Sequence, residues 1–374
     1  MKIIIVGTSY PYRGGIAAFT DRLATEFVKE GVDIEVVTFK LQYPSFLFPG
    51  KTQYSDAKAP KGFPIERKVN SINPLNWIKV GKEIRKKNPD LVVFTYWMSF
   101  FAPCFGKIAR VIKKNRPVKC IGLIHNMIPH EKSMLDKMFA PRFVKSMDGF
   151  VALSQSVFDD VKSLDYQDKP KCLAPHPLYD HFGEIMDRSI ALKHLNLDED
   201  CRYMLFFGLV RAYKGLDLLI DAFADERLRK YPVKLIVAGE FYDDPKPYLE
   251  QIEKHGIQNS INIVNQYIKD DDVKYYFNAV DIIVQPYKTA TQSGVTQVAY
   301  HFEKPMLVTN VGGLGEIIPN GKVGYVVEPN PTSIADALVD FYENGRYNAF
   351  VEGVKEEKMK YRWSNMTNAI KKLL

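Results

Sequence analysis

The sequence predicts an α/β protein with two doubly wound parallel sheets, and three observations carry that reading. Short apolar, β-branched runs alternate with segments of helical periodicity. That alternation breaks off near residue 174 and resumes near 203. The chain has 374 residues, 46% hydrophobic and 25% charged, which is enough for two cored domains at roughly 150 residues each. The same composition excludes a disordered or collagen-like chain.

In the first half the strands read as Ile3–Val6, Ile34–Thr38, Leu91–Thr95, Lys119–Ile124 and Gly149–Leu153. Helical periodicity lies between them, as in Ala17–Glu30 and Asn76–Lys87. Near-continuous apolar runs, rather than strict alternation, are what a sheet covered on both faces requires. The second half gives Tyr203–Phe207, Lys234–Val237, Ile261–Val264, Ile282–Gln285, Met306–Val308 and Gly324–Val327. From about Ala174 to Asp200, Pro175 and Pro177 mark a linker, so the domains divide as 1–180 and 181–358. Two such domains facing one another predict a ligand cleft at the carboxyl ends of their strands, where βα loops and helix N-termini converge.

The uncharged stretch Leu91–Gly106 falls short of the roughly 20 apolar residues that a membrane-crossing helix needs. It reads instead as a buried strand running into a loop and helix. The apolar run at Met1–Gly7 is too short for a signal peptide. Cys104, Cys120, Cys172 and Cys201 stand singly, without disulfide-framework or zinc spacing. A cytoplasmic protein is expected.

The net charge of +7 is unevenly spread. Residues 1–180 hold 28 Lys and Arg against 17 Asp and Glu; the remainder holds 23 against 27, so the halves carry +11 and −4. Lys82, Arg85, Lys86 and Lys87 form one cluster; Lys107, Arg110, Lys113, Lys114, Arg116 and Lys119 form another. Aromatic residues concentrate nearby, in Tyr43–Phe48 and Tyr96–Phe101. These are the solvated faces of two helices over core aromatics, or a basic face with exposed aromatics that rests on an anionic membrane. No nucleic-acid-binding signature accompanies the charge.

Four βα loops carry the candidate chemistry. The first ends in Gly14-Gly15 and opens a helix, a loop that lets backbone approach an anion; it is not the dinucleotide fingerprint. His125 follows a buried strand directly, with His130 and Glu131 further along the same loop. The strand ending at Gly208 is followed by Arg211 and Lys214, then by a helix after Gly215. Two cations three residues apart can bracket a diphosphate and stabilise the charge it gains on departure. Last, Ser293-Gly294-Val295 opens a helix whose free N–H groups suit phosphate oxygens. Asp270-Asp271-Asp272 satisfies an Asp-x-Asp pattern superficially, but it directly precedes a helical run, where acidic residues favour the helix N-terminus. No metal is assigned.

The order of these passages, densest from Phe207 to Ala337, resembles glycosyltransferase family four with GT-B architecture. The resemblance implies a retaining, metal-independent transfer from a nucleotide-diphosphate sugar, with no other cofactor, to a carbohydrate or lipid-linked saccharide. It implies the diphosphate at Arg211, Lys214 and Gly208, the base near the backbone of Tyr267-Ile268, and His125 near the donor sugar. Gly14 and Gly15 match the family's first-domain loop. Tyr361-Arg362-Trp363-Ser364 is similar to the family's terminal segment, so 359–374 is expected to return to the first domain. One departure stands out. The family commonly carries two glutamates in the late loop and helix, and those positions here are Ala290 and Val298. Thr291, Gln292 and Gln297 are the nearby polar groups, and an amide can still bond hydroxyls. Either donor recognition is rebuilt around Gln292 and Gln297, or activity is lost. The rivals are a non-catalytic nucleotide-sugar-binding protein and a sugar-nucleotide epimerase; no set of carboxylates for proton abstraction is evident for the latter.

Overall fold

The computed structural model describes residues 1–43, 53–55, 58–127, 134–290 and 293–374, and it divides the chain into two compact units. The first comprises Met1–His176 and Trp363–Leu374; the second is Pro177–Arg362.

In chain order the first unit contains β1 (Lys2–Val6), α1 (Gly15–Lys29), β2 (Asp33–Leu41), β3 (Ile65–Asn70), α2 (Pro74–Lys86) and β4 (Leu91–Tyr96). It continues with α3 (Ala102–Lys113), β5 (Lys119–Ile124), α4 (Met134–Ser146), β6 (Gly149–Ala152), α5 (Gln155–Leu164) and β7 (Lys171–Leu173). All seven strands are parallel, in the order β3-β2-β1-β4-β5-β6-β7. The chain reverses direction across the sheet between β1 and β4, the switch point at which ligands bind in such folds. Helix α1 forms because Ala17, Phe19, Thr20, Leu23, Ala24 and Phe27 recur at helical spacing and are buried as one stripe. Helix α2 starts where the Asn73 side chain accepts the N–H groups of Leu75 and Asn76, with Pro74 preset in the first turn.

The second unit contains α6 (Arg188–His194), β8 (Arg202–Phe207), α7 (Leu216–Phe223), β9 (Val233–Ala238), α8 (Lys246–Lys254), β10 (Ile261–Val264), α9 (Asp270–Ala279) and β11 (Ile282–Gln285). After these come α10 (Gly294–His301), β12 (Met306–Thr309), α11 (Leu314–Ile317), β13 (Gly324–Val327), α12 (Pro331–Glu343) and α13 (Tyr347–Glu357). Six parallel strands run in the order β10-β9-β8-β11-β12-β13, with the reversal between β8 and β11. The last helix, α14 (Trp363–Lys371), belongs to the first unit. There Trp363, Met366 and Ile370 join Ile3, Phe19 and Leu23 in one core, and Arg22 lies over the Trp363 ring at 4.9 Å.

Two expectations change, and one of two alternatives is decided. The proline-marked stretch 174–200 is not a bare linker. It carries α6, whose Ala191 and Leu192 are buried with Val273, Tyr276 and Phe277 of α9. Strands β3 and β7 add an edge each that the sequence pattern does not announce. The aromatic run Tyr96–Phe101 is largely core: Tyr96 stacks on Phe143 at 4.2 Å, and Phe101 packs against Phe39 and Phe105. Trp97 and Phe100 are half-buried on that cluster beside Tyr43, while Pro44–Phe48 lie outside the described residues. The uncharged stretch 91–106 resolves into β4, one 3-10 turn at Ser99–Phe101 and the start of α3. Among the described residues no helix is long and apolar enough to cross a membrane.

Candidate functional site

Within the second unit, the loops at the carboxyl ends of β8, β9 and β11 are knitted together by the backbone. Beyond β8, Val210 N–H donates to Glu240 O (2.9 Å) and Tyr242 N–H donates to Val210 O (3.0 Å), so the β8–β9 pairing runs on into both loops. At Gly239, with φ of +151°, a Cβ would stand 2.1 Å from the carbonyl oxygen of Gly208. Gly215, with φ of +69°, ends the turn that carries Lys214, and a Cβ there would stand 1.9 Å from the carbonyl oxygen of Pro286. Only glycine permits these two approaches. Lys288 N–H closes the third side by donating to Tyr213 O at 2.7 Å.

This framework brings several predicted residues together. Lys214 Nζ lies 3.3 Å from where a Cβ of Gly208 would be and 5.7 Å from the centre of the Tyr287 ring. The Tyr287 hydroxyl is within hydrogen-bond reach of Ser293 Oγ (3.3 Å), and the Tyr213 ring meets Tyr287 edge-on. The nearby carboxylate, Asp217, is already paired with Lys288 at 2.6 Å. Among the described residues neither Arg211 nor Lys214 has an anionic partner, and Arg211 Nε is buried without a hydrogen bond. Burial first, then the Arg211 charge, pulls the Lys214 ammonium down to about 8. Two cations held side by side without a counter-ion are the electrostatic complement of a polyanion.

Ser293 precedes α10 without a side-chain cap, so the first N–H groups of Gly294 and Val295 are free of one. Tyr179 closes against Gly294, where a Cβ would meet its ring at 2.7 Å. Val295 packs half-buried on the core. Gln297 is only 3% exposed, and among the described residues neither Oε1 nor Nε2 of its amide has a partner. Its neighbour Thr296 is turned to the sheet, where it pairs with Gln285 at the end of β11 (3.3 Å). Tyr267 is exposed and donates to Asp270 (3.4 Å), whereas the Ile268 side chain is core, leaving only its backbone for a ligand. Thr291 and Gln292 lie outside the described residues. Asp270, Asp271 and Asp272 form the first turn of α9. Among the described residues no three His, Cys, Asp or Glu side chains gather as a metal centre.

The other predicted residues sit in the first unit. Gly14 and Gly15 start α1 beyond β1, and His125 follows β5, its N–H donating to Tyr96 O at 2.8 Å. The loop ahead of Gly14 is anchored by Asp21, which accepts the Ser9 hydroxyl and the Tyr10 N–H. Desolvation drives that carboxyl up to about 6. The His125 ring meets Phe19 edge-on at 4.6 Å, and its Nε2 is buried without a partner among the described residues. Burial, then the neighbouring His176, pulls its pKa down to about 3, so the imidazole is neutral at pH 7. His130 and Glu131 lie outside the described residues.

Sequence reasoning missed Tyr242. Its ring stacks on the Arg211 guanidinium, with Cζ 4.0 Å from the ring centre. It comes from the loop after the adjacent strand β9. Its one sequence signal is an aromatic residue shortly after the strand-terminal Gly239.

Two parallel-sheet units of this order, each with its loops gathered at the carboxyl edge, define the GT-B class of glycosyltransferases. Sequence comparison reaches the same class from both halves. The family described as Glycosyltransferase Family 4 matches residues 13–177, and Glycosyl transferases group 1 matches 187–358. The chain belongs to these group 1, family four glycosyltransferases and is an enzyme of the transferase class. An uncharacterised glycosyltransferase of Methanocaldococcus jannaschii is 24% identical over 100% of this chain and 97% of its own. The O-antigen chain mannosyltransferase C of Escherichia coli is 24% identical over 92% of this chain and 89% of its own. Among solved structures, HepE of Anabaena in complex with UDP superposes with a TM-score of 0.74 at 14% identity, over 100% of this chain and 99% of that one.

Proposed function

We propose that this protein transfers a hexose-type sugar from a nucleotide-diphosphate donor to an acceptor hydroxyl, with retention at the anomeric carbon and no metal ion. The observation that carries the reading is the Arg211–Lys214 pair, half-buried just beyond β8 and, among the described residues, without a counter-ion. The relatives point the same way. HepE is described with UDP and with UDP-glucose, and E. coli and Salmonella relatives are named for O-antigen and lipopolysaccharide transfer. Assembly of a surface polysaccharide or glycolipid is the corresponding setting, with a saccharide or lipid-linked saccharide as acceptor.

In this mechanism the second unit holds the donor. Arg211, Lys214 and the α10 N-terminus take the diphosphate, the backbone by Tyr267-Ile268 takes the base, and the orphan amide of Gln297, with Thr291 and Gln292, takes donor hydroxyls. In the first unit itself, Gly14 and Gly15 leave backbone open to an anion, and the neutral His125 can hydrogen-bond a hydroxyl without adding charge. With no carboxylate nucleophile assigned, the reaction runs on one face. The bond from the anomeric carbon to the phosphate oxygen breaks as the acceptor oxygen bonds that carbon, and the acceptor proton passes to the departing phosphate. Arg211 and Lys214 stabilise the charge that develops there, without reorganisation at the moment of reaction. Lys214→Ala and Arg211→Ala should each lower single-turnover rates by roughly 10²–10³-fold at saturating donor. Normal turnover by either variant refutes the assignment.

A cytoplasmic location at the membrane face is part of the same proposal. Ile72 and Leu75, at the start of α2, are 52% and 78% exposed. Lys79, Lys82 and Lys86 are exposed along the same helix. Aliphatic side chains beside lysines suit an anionic bilayer. The protein should float with anionic vesicles at low salt, and Leu75→Ser should weaken this. Recovery in the soluble fraction at low salt removes the membrane from the proposal.

A further inference from the structure

Resting on the diphosphate reading of Arg211, the geometry points to Tyr242 as a positioning residue that holds the Arg211 guanidinium ready for the donor. Four observations converge on it. The ring lies 4.0 Å from Arg211 Cζ, the stacked arrangement that a planar guanidinium favours. Tyr242 is nonetheless 65% exposed, so the ring is not placed there by core burial. Its backbone is fixed in register with the arginine's own loop by the Tyr242 N–H bond to Val210 O. Its predecessor Phe241 is tied down on both sides, its N–H donating to Asn265 Oδ1 (3.1 Å) and its ring packing on Tyr248.

The consequence for Arg211 is specific. Among the described residues no carboxylate restrains its side chain, and an unrestrained arginine carries large rotamer freedom that must be lost on binding an anion. Stacking on Tyr242 removes that freedom beforehand and covers one face of the guanidinium. Among the described residues Nε keeps no protein partner, so the guanidinium edge through which phosphate oxygens bind is not taken up by the protein. A ring contributes this without adding charge; a carboxylate in its place would hold the arginine but compete with the diphosphate. Tyr242 itself need not touch substrate, and its hydroxyl plays no part.

The test is a double-mutant cycle read by steady-state kinetics and by binding of UDP as the probe. Tyr242→Ala should lower kcat/KM for donor about 10-fold and weaken UDP binding similarly. Tyr242→Phe, which keeps the stack, should stay within 2-fold of wild type. In an Arg211→Ala background, Tyr242→Ala should add no further loss. Equal losses from Tyr242→Ala with and without Arg211 overturn the positioning role, as does loss of function in Tyr242→Phe. Wild-type behaviour of Tyr242→Ala, with Arg211→Ala impaired, also overturns it while leaving the diphosphate assignment intact. Wild-type behaviour of Arg211→Ala instead removes the diphosphate reading itself.

Discussion

Replacing Lys214 by methionine should stabilise the free protein while destroying its hold on nucleoside diphosphate. The ammonium titrates near 8 rather than at its ordinary 10.5, because burial and then Arg211 oppose its charge. At about 1.4 kcal/mol per pH unit, the charged form costs about 3 kcal/mol in the folded state. The sign follows from the order of the two values. Below pH 8 both folded and unfolded chains carry the proton, and the full cost is present. Between pH 8 and 10.5 only the unfolded chain carries it, so wild-type stability recovers as pH rises. Urea denaturation should place Lys214→Met above wild type by about 2–3 kcal/mol at pH 7, with the gap closing toward pH 10. Methionine keeps the stem packing, so the comparison isolates the charge. Calorimetry in two buffers should also show proton uptake when UDP binds at pH 8, since a bound diphosphate draws Lys214 back to its charged form. A methionine variant less stable than wild type at pH 7, or a gap that does not change with pH, would show that the cation is not held against an electrostatic cost.

Three further outcomes follow from the same structure. Gln297→Leu removes a buried amide with no partner, so the free protein should gain about 1–3 kcal/mol in denaturation while donor KM rises; unchanged KM would remove Gln297 from the donor site. The His125 imidazole should show no titration above pH 5 by NMR. Because its folded pKa, about 3, lies below the ordinary 6.5, stability should fall as pH drops through that interval, and His125→Leu should flatten part of the fall. Gly239→Ala drives a Cβ to within 2.1 Å of the Gly208 carbonyl oxygen at a φ of +151°, and should cost upwards of about 2 kcal/mol in urea denaturation.

The central strands were legible because burial on both faces leaves an unmistakable apolar run, as in Leu91–Tyr96, which is buried throughout. The edge strands were not. Ile65–Asn70 reads Ile-Glu-Arg-Lys-Val-Asn because one side of an edge strand meets water, and its glutamate and lysine take part in ion pairs with Lys87 and Glu83. Lys171–Leu173 spans only three residues, too few for a period to show. Helix α6 hid in a proline-marked stretch because only Ala191 and Leu192 of its seven residues are buried. In the site, Arg211 and Lys214 stood out because cations after a strand-terminal glycine have few structural uses. Tyr242 did not, because what it does depends on a neighbouring strand, and strand adjacency is not written in local sequence.

The two joints between the units have a bearing on how such enzymes diversify. The chain leaves the first unit at His176 and re-enters it at Trp363, and both rings pack on Phe19, at 5.0 and 5.1 Å. The second unit is therefore an insertion, and the two host residues that flank it pack on one aromatic residue of the host. A fragment ending at 176 would leave Phe19 without Trp363 and the core without Met366 and Ile370. Exchanging second units between relatives thus requires two simultaneous crossovers, one at each joint. A chimera cut at the first joint alone would combine the first unit with a terminal helix shaped for another protein's core.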